Sequence, residues 1–176
     1  ENDVPGVVYH AIGVNGADVP AYLSCRNFER DLNLIRPDVV LFAIGINDTF
    51  NKNYSESSFM AHYDSLIYKI KNVSPNCFFI FLTNNDSFKK IKNGKKTNYR
   101  VNENGESARK VFRLLAEKYD GAVWDVFGIM GGLGSMKDWE YEGLAKKDKI
   151  HFTNKGYALL GDLFFNALMR LDIERE

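Results

Sequence analysis

The chain has 176 residues, enough for one domain with a buried core, and its 45% hydrophobic and 26% charged residues exclude a disordered or fibrous protein. Its 23 basic and 23 acidic residues cancel, which argues against a nucleic-acid binder or a protein of anionic membrane surfaces. No apolar run approaches the roughly 20 residues that cross a bilayer, so no membrane span is expected.

Residues 6–14, "GVVYHAIGV", form a short apolar, β-branched run ending in glycine and predict a buried strand. Residues 27–36 place Phe28, Leu32 and Ile35 at helical spacing, and Pro37 ends that helix. "DVVLFAIG" (38–45) is almost continuously apolar, the pattern of a strand covered on both faces. A helix over 57–73 follows, with Phe59, Tyr63, Leu66, Ile67 and Ile70 on one stripe. After it come a strand at 77–84, a helix within 102–120, a strand at 122–128 and a last helix after Thr153, its expected N-cap. Between them, "KKIKNGKKTNYR" (89–100) reads as a solvated basic loop. A lesser alternative lets it rim the pocket and meet anionic substrate. Cys25 and Cys77 are too few and too far apart for a disulfide framework or a zinc site and are expected as two buried free thiols.

Strands alternating with helices imply a mostly parallel sheet with helices on both faces, with no internal repeat or linker. In such a sheet ligands bind beyond the carboxyl ends of the strands. That rule selects the glycine turn Gly13–Gly16, "GIND" (45–48) and the "DKIH" loop (148–151).

Three histidines are present. His10 lies in a strand pattern and His62 in an amphipathic helix, so both are read as satisfied or exposed residues and not as catalysts. His151 follows Asp148 by three residues. A carboxylate accepting from one imidazole nitrogen fixes the tautomer and stabilises the imidazolium formed when the other nitrogen takes a proton. The bland alternative makes Asp148 a cap and His151 a solvated turn residue. Asn47 ends a buried strand and can donate its amide to a developing oxyanion, where one donor is worth about 3–4 kcal/mol. Against this, Asn47 and Asp48 can simply form an Asx turn or cap the next segment. Gly16 offers a second donor, its backbone N–H, because no Cβ blocks approach.

A glycine turn, G-x-N-D, then D-x-x-H before a C-terminal helix is the block order of the SGNH (GDSL-like) hydrolases, which this chain resembles over essentially its whole length. The resemblance implies a three-layer α/β/α, flavodoxin-like fold of SGNH-hydrolase type across residues 1–176. It implies Asp148 and His151 as catalytic residues, Asn47 and Gly16 as oxyanion donors, and no metal or cofactor. Residues 128–164 also look like bacterial members that remove acetyl groups from cell-wall glycans. That similarity implies small acetyl esters on a glycan as substrate and a periplasmic or extracellular location. The family's G-D-S block, with the nucleophilic serine, is missing, for no serine precedes Gly13. Ser87 in "NDSF" and Ser135 in "GLGSM" follow the wrong strands and are read as decoys. With a start that lacks methionine, the chain is therefore expected to be the C-terminal part of a longer hydrolase. It would lack the first strand and the nucleophile, which an upstream segment would supply, and would be inactive by itself. Two alternatives stand beside this reading: a non-catalytic carbohydrate-binding or structural relative of the same fold, and another doubly wound domain. The latter is weakened by the absence of G-x-G-x-x-G and G-x-x-x-x-G-K-[ST].

Overall fold

The computed structural model describes residues 6–94 and 96–173. In chain order its elements are α1 (Val19–Leu23), α2 (Phe28–Ile35), β1 (Val39–Phe42), α3 (Ile46–Phe50), α4 (Glu56–Val73), β2 (Phe78–Leu82), β3 (Phe88–Asn93) and β4 (Lys96–Val101). They continue with α5 (Asn104–Tyr119), β5 (Ala122–Trp124), α6 (Val126–Met130), α7 (Met136–Tyr141) and α8 (Asn154–Ile173). The helices predicted at 27–36, 57–73, 102–120 and after Thr153 all form. Their ends follow from local chemistry: Ser55 Oγ accepts from the Ser58 amide at the start of α4, and Thr153 Oγ1 accepts from Gly156 N at the start of α8.

The sheet is parallel, in the order β1-β2-β5, with Val40 opposite Phe79 and Phe81 opposite Val123. Because side chains alternate along a strand, Phe42, Phe79 and Phe81 share one face. There they meet Tyr63 of α4 and Phe112 of α5 in a cluster of aromatic contacts, Phe42 and Tyr63 at 5.4 Å and Phe81 and Phe112 at 6.4 Å. Each such buried ring contributes about 2–3 kcal/mol. On the opposite face Leu82 and Trp124 pack with Leu160 of α8, and Trp124 lies 4.9 Å from Phe164. Helices thus cover both faces of a mixed α/β fold.

Four expectations need correction. Residues 6–14 form no strand: the segment has no regular structure, and Val7 and Val8 are 95% and 81% exposed. An apolar run states a preference for burial, but a strand also needs a neighbour for its N–H and C=O groups. Among the described residues none pairs with it, and β1 pairs on one side only. Segment 89–100 is no loop but part of the antiparallel hairpin β3–β4, turning at Gly94 with φ 58°. The strand predicted at 122–128 stops at Trp124, because the Asp125 carboxylate accepts from Gly128 N and starts α6. Both cysteines are free, but Cys25 is exposed; only Cys77 is buried.

Candidate active site

Beyond the carboxyl end of β1 the chain turns at Gly45. Its φ of 121° and the Phe59 ring 2.9 Å from where a Cβ would stand leave room for glycine alone. The turn delivers Asn47 into α3. Its Nδ2 donates to Ala17 O at 2.9 Å, which draws the glycine turn up against α3. Gly16 sits in that turn at φ 77°, and no described residue accepts its N–H. Asp48 binds the same segment: both its carboxylate oxygens accept from Val19 N, at 3.1 and 3.3 Å. The Asp48 side chain therefore does not cap the segment that follows it; it accepts the first N–H of α1, 29 residues upstream, whose N-cap is Asp18. Burial pushes its carboxyl up to about 6, with the Val19 N–H pulling partly the other way.

The second half of the site is the loop before α8. Asp148 Oδ1 accepts from the amides of Ile150 and His151, both at 2.9 Å, and Oδ2 lies 3.0 Å from His151 Nδ1. Lys149, at φ 59°, provides the tight turn that lets one carboxylate reach all three groups. The turn-forming and ring-orienting readings of Asp148 thus coexist on different oxygens. Partial burial would raise the Asp148 carboxyl, but the hydrogen bonds from His151 and Ile150 hold it below the usual carboxylate value. No described residue hydrogen-bonds His151 Nε2, and the side chain is about half exposed. Such a ring can take a proton from a substrate-side hydroxyl.

The two halves lie at the same edge of the sheet. Because β1 and β2 run parallel, their carboxyl ends coincide. Asn84 Oδ1, just after β2, lies 3.3 Å from where a Cβ on Gly45 would stand, and Asn85 Nδ2 donates to Ile150 O at 2.9 Å. The structure thus brings Gly16 to Asn47 and Asp148 to His151, with no hydrogen bond between the pairs among the described residues. His10 is exposed in the irregular N-terminal segment, and His62 lies within α4. Neither touches the pairs through a hydrogen bond among the described residues. Ser24 donates to Pro20 O, Ser87 accepts from Asn102 at 3.3 Å, and Ser135 is buried before α7; none hydrogen-bonds His151. Among the described residues no group of three His, Cys, Asp or Glu could share a metal ion.

Sequence reasoning passed over "TNND" (83–86), although the rule about carboxyl ends of strands applies to β2 as it does to β1. Asn85 braces the histidine loop. Nearby, Asn102 and Asn104 hold Thr49 at the end of α3, through its Oγ1 at 2.9 Å and its carbonyl at 2.8 Å.

The sequence matches the model of the GDSL-like lipase/acylhydrolase family over residues 2–159. Among solved structures, a peptidoglycan O-acetylesterase superposes with a TM-score of 0.79 at 25% identity; the match covers 92% of this chain and 45% of that one. An acetyl xylan esterase gives 0.65 at 20% identity, over 89% of this chain and 78% of that one. The periplasmic domain of a lipopolysaccharide acetyltransferase from Salmonella ser. Paratyphi A gives 0.57 at 15%, over 81% and 61%. The chain therefore spans less than half the length of the O-acetylesterase it resembles. No curated protein matches it significantly. With the family model covering nearly its whole length, the chain belongs to the GDSL-like lipase/acylhydrolases.

Proposed function

We propose that this chain supplies the base and oxyanion parts of a serine esterase that hydrolyses small acyl esters, above all acetyl esters on a cell-envelope glycan. The observation that carries the reading is the Asp148–His151 pair, with Nδ1 held at 3.0 Å from the carboxylate and Nε2 left without a described partner. A serine hydroxyl beside Nε2 would attack the ester carbonyl while the ring takes its proton. Asp148 would hold the imidazolium, and the ring would then return the proton to the departing alcohol. The carbonyl oxygen, now an anion, would receive the Gly16 N–H and the Asn47 amide hydrogen not used by Ala17 O. Water would release the acid by the reverse sequence.

The serine would come from a segment upstream of Glu1, on a strand beside β1. Two features support this: the outer side of β1 is unpaired among the described residues, and the apolar segment 6–14 lies exposed next in sequence to the turn it should feed. Acetyl as the acyl group, a glycan as its carrier and an envelope or extracellular location rest on likeness to the O-acetylesterase and the acetyl xylan esterase. The absence of a serine beside His151 favours a second reading, a carbohydrate-binding relative without catalysis. Turnover of p-nitrophenyl acetate by the protein carrying its upstream residues separates the two. Hydrolysis that is lost in His151→Ala supports the esterase; no hydrolysis, with no G-D-S segment upstream, leaves the binding reading.

A further inference from the structure

The β3–β4 hairpin concentrates charge to a degree unmatched elsewhere in the molecule. Its 14 residues, 88–101, hold six of the 23 basic residues and none of the 23 acidic ones, so the rest of this neutral chain is net acidic. Lys89 and Arg100 stand directly opposite one another in the ladder, a like-charge pairing that costs stability. Among the described residues neither they nor Lys90, Lys92 and Lys96 enter an ion pair. The hairpin is also tied to both halves of the candidate site. Phe88 N donates to Lys149 O at 3.0 Å, and the Lys149 ammonium lies 5.6 Å from the Tyr99 ring. Alternation puts Lys89, Arg100 and Lys96 on the other face, where the Lys89 ammonium lies 5.9 Å from the Phe50 ring of α3. That is the helix that carries Asn47.

Taking the adjoining site to be the esterase site proposed above, we propose that the β3–β4 hairpin is a binding wall for a carboxylate-bearing glycan, the chain on which the ester sits. Cations alternate on this face with the Asn93 and Asn98 amides, a set suited to carboxylates and hydroxyls in turn. Single-stranded nucleic acid fits worse, because it needs open aromatic platforms, and here Tyr99 is half-buried beneath Lys149. Each surface contact is weak by itself, but contacts repeated along one polymer reinforce each other. The rival explanation is that the lysines merely keep an exposed hairpin edge from pairing with other chains.

Calorimetric titration of the 176-residue chain at low salt tests the proposal, with polygalacturonate as the probe and neutral dextran as the control. Binding to polygalacturonate alone is expected, weakened about tenfold or more in Lys89→Gln/Arg100→Gln because two screened charge contacts are lost. Removing the same charge on α2 and α5, in Arg30→Gln/Lys110→Gln, should leave binding almost unchanged. Thermal unfolding verifies that each variant is folded, and Lys92→Gln/Lys96→Gln at the hairpin tip decides the matter if the first pair is not. No binding, equal weakening by the distant pair, or tighter binding to a single-stranded oligonucleotide would each overturn the proposal. Binding needs no nucleophile, so its failure stands apart from that of the esterase reading, which falls only if the longer protein shows no turnover.

Discussion

Asp48 lies one residue from Asn47 and Asp148 three residues from His151, but the two carboxylates are shifted in opposite directions. Burial raises the Asp48 carboxyl to about 6, so from its unfolded value near 4 up to that point the folded chain keeps a proton the unfolded chain has lost. Its contribution therefore falls as pH rises through this window, by at most about 3 kcal/mol. The difference in unfolding free energy between the natural chain and Asp48→Asn, measured by denaturant titration at pH 4 and pH 7, should shift in favour of the variant on going to pH 7. A pH-independent difference would mean that folding leaves the Asp48 carboxyl at its unfolded value. Asp148 is held low instead, so its contribution is present above its unfolded value and is lost as pH falls. In a longer protein carrying the proposed serine segment, Asn47→Ala should lower kcat about 100- to 1,000-fold with little change in KM, because the amide acts on the transition state. Kinetics in which only KM moves would remove Asn47 from the oxyanion hole. The D-x-x-H and G-I-N-D spacings were legible because each partnership or turn is local. The grip of Asp48 on Val19 was not, since spacing along the chain is silent about a partner 29 residues away.

At the scale of elements, the histidine loop is rigid because its two ends are clamped. Ala145 and Phe152 bridge, Lys146 N donates to His151 O at 2.8 Å, and Thr153 Oγ1 donates to Gly143 O at 2.8 Å. Gly156 completes the clamp: a Cβ there would stand 2.1 Å from Leu144 O, so the first turn of α8 can rest on that carbonyl only without a side chain. Gly156→Ala should cost about 1–3 kcal/mol in denaturant unfolding through overpacking, and it should speed hydrogen exchange at the His151 amide. Unchanged stability would show that α8 lifts away freely. Helices were the readable elements, because the 3.6-residue stripe of α4 survives in any surroundings that bury one face. The hairpin was not readable: Phe88 and Ile91 break the alternation of a strand, and six cations resemble a solvated loop. The Asn93-Gly94 pair was the signal that should have outweighed them.

For the molecule as a whole, the open edge of β1 is the dominant feature, and it explains why the first predicted strand failed while the next three formed. Val39↔Phe78 and Ile80↔Ala122 pair because each strand finds a neighbour; residues 6–14 have the composition of a strand but no neighbour to bond among the described residues. Composition is written in a segment, but pairing belongs to the sheet. The same gap bears on activity. The 176-residue chain alone should not turn over p-nitrophenyl acetate, since a histidine–aspartate pair activates a nucleophile but does not replace it. Turnover abolished by His151→Ala in this chain would expose an overlooked nucleophile, with Ser24, Ser87 and Ser135 the residues to replace. The edge itself can be interrogated without catalysis. Phe78 N donates to Asp38 O, and in a parallel ladder the outward and inward N–H groups alternate. The amides of Val40 and Phe42 therefore face β2, and those of Val39 and Leu41 face the open side. Hydrogen exchange should find the first two protected and the second two close to the unprotected rate in this chain. In a longer protein carrying the proposed serine strand, Val39 and Leu41 should be protected as well. Protection of all four amides in the 176-residue chain at every protein concentration would mean that the edge is already closed, and that the serine strand has no place beside β1.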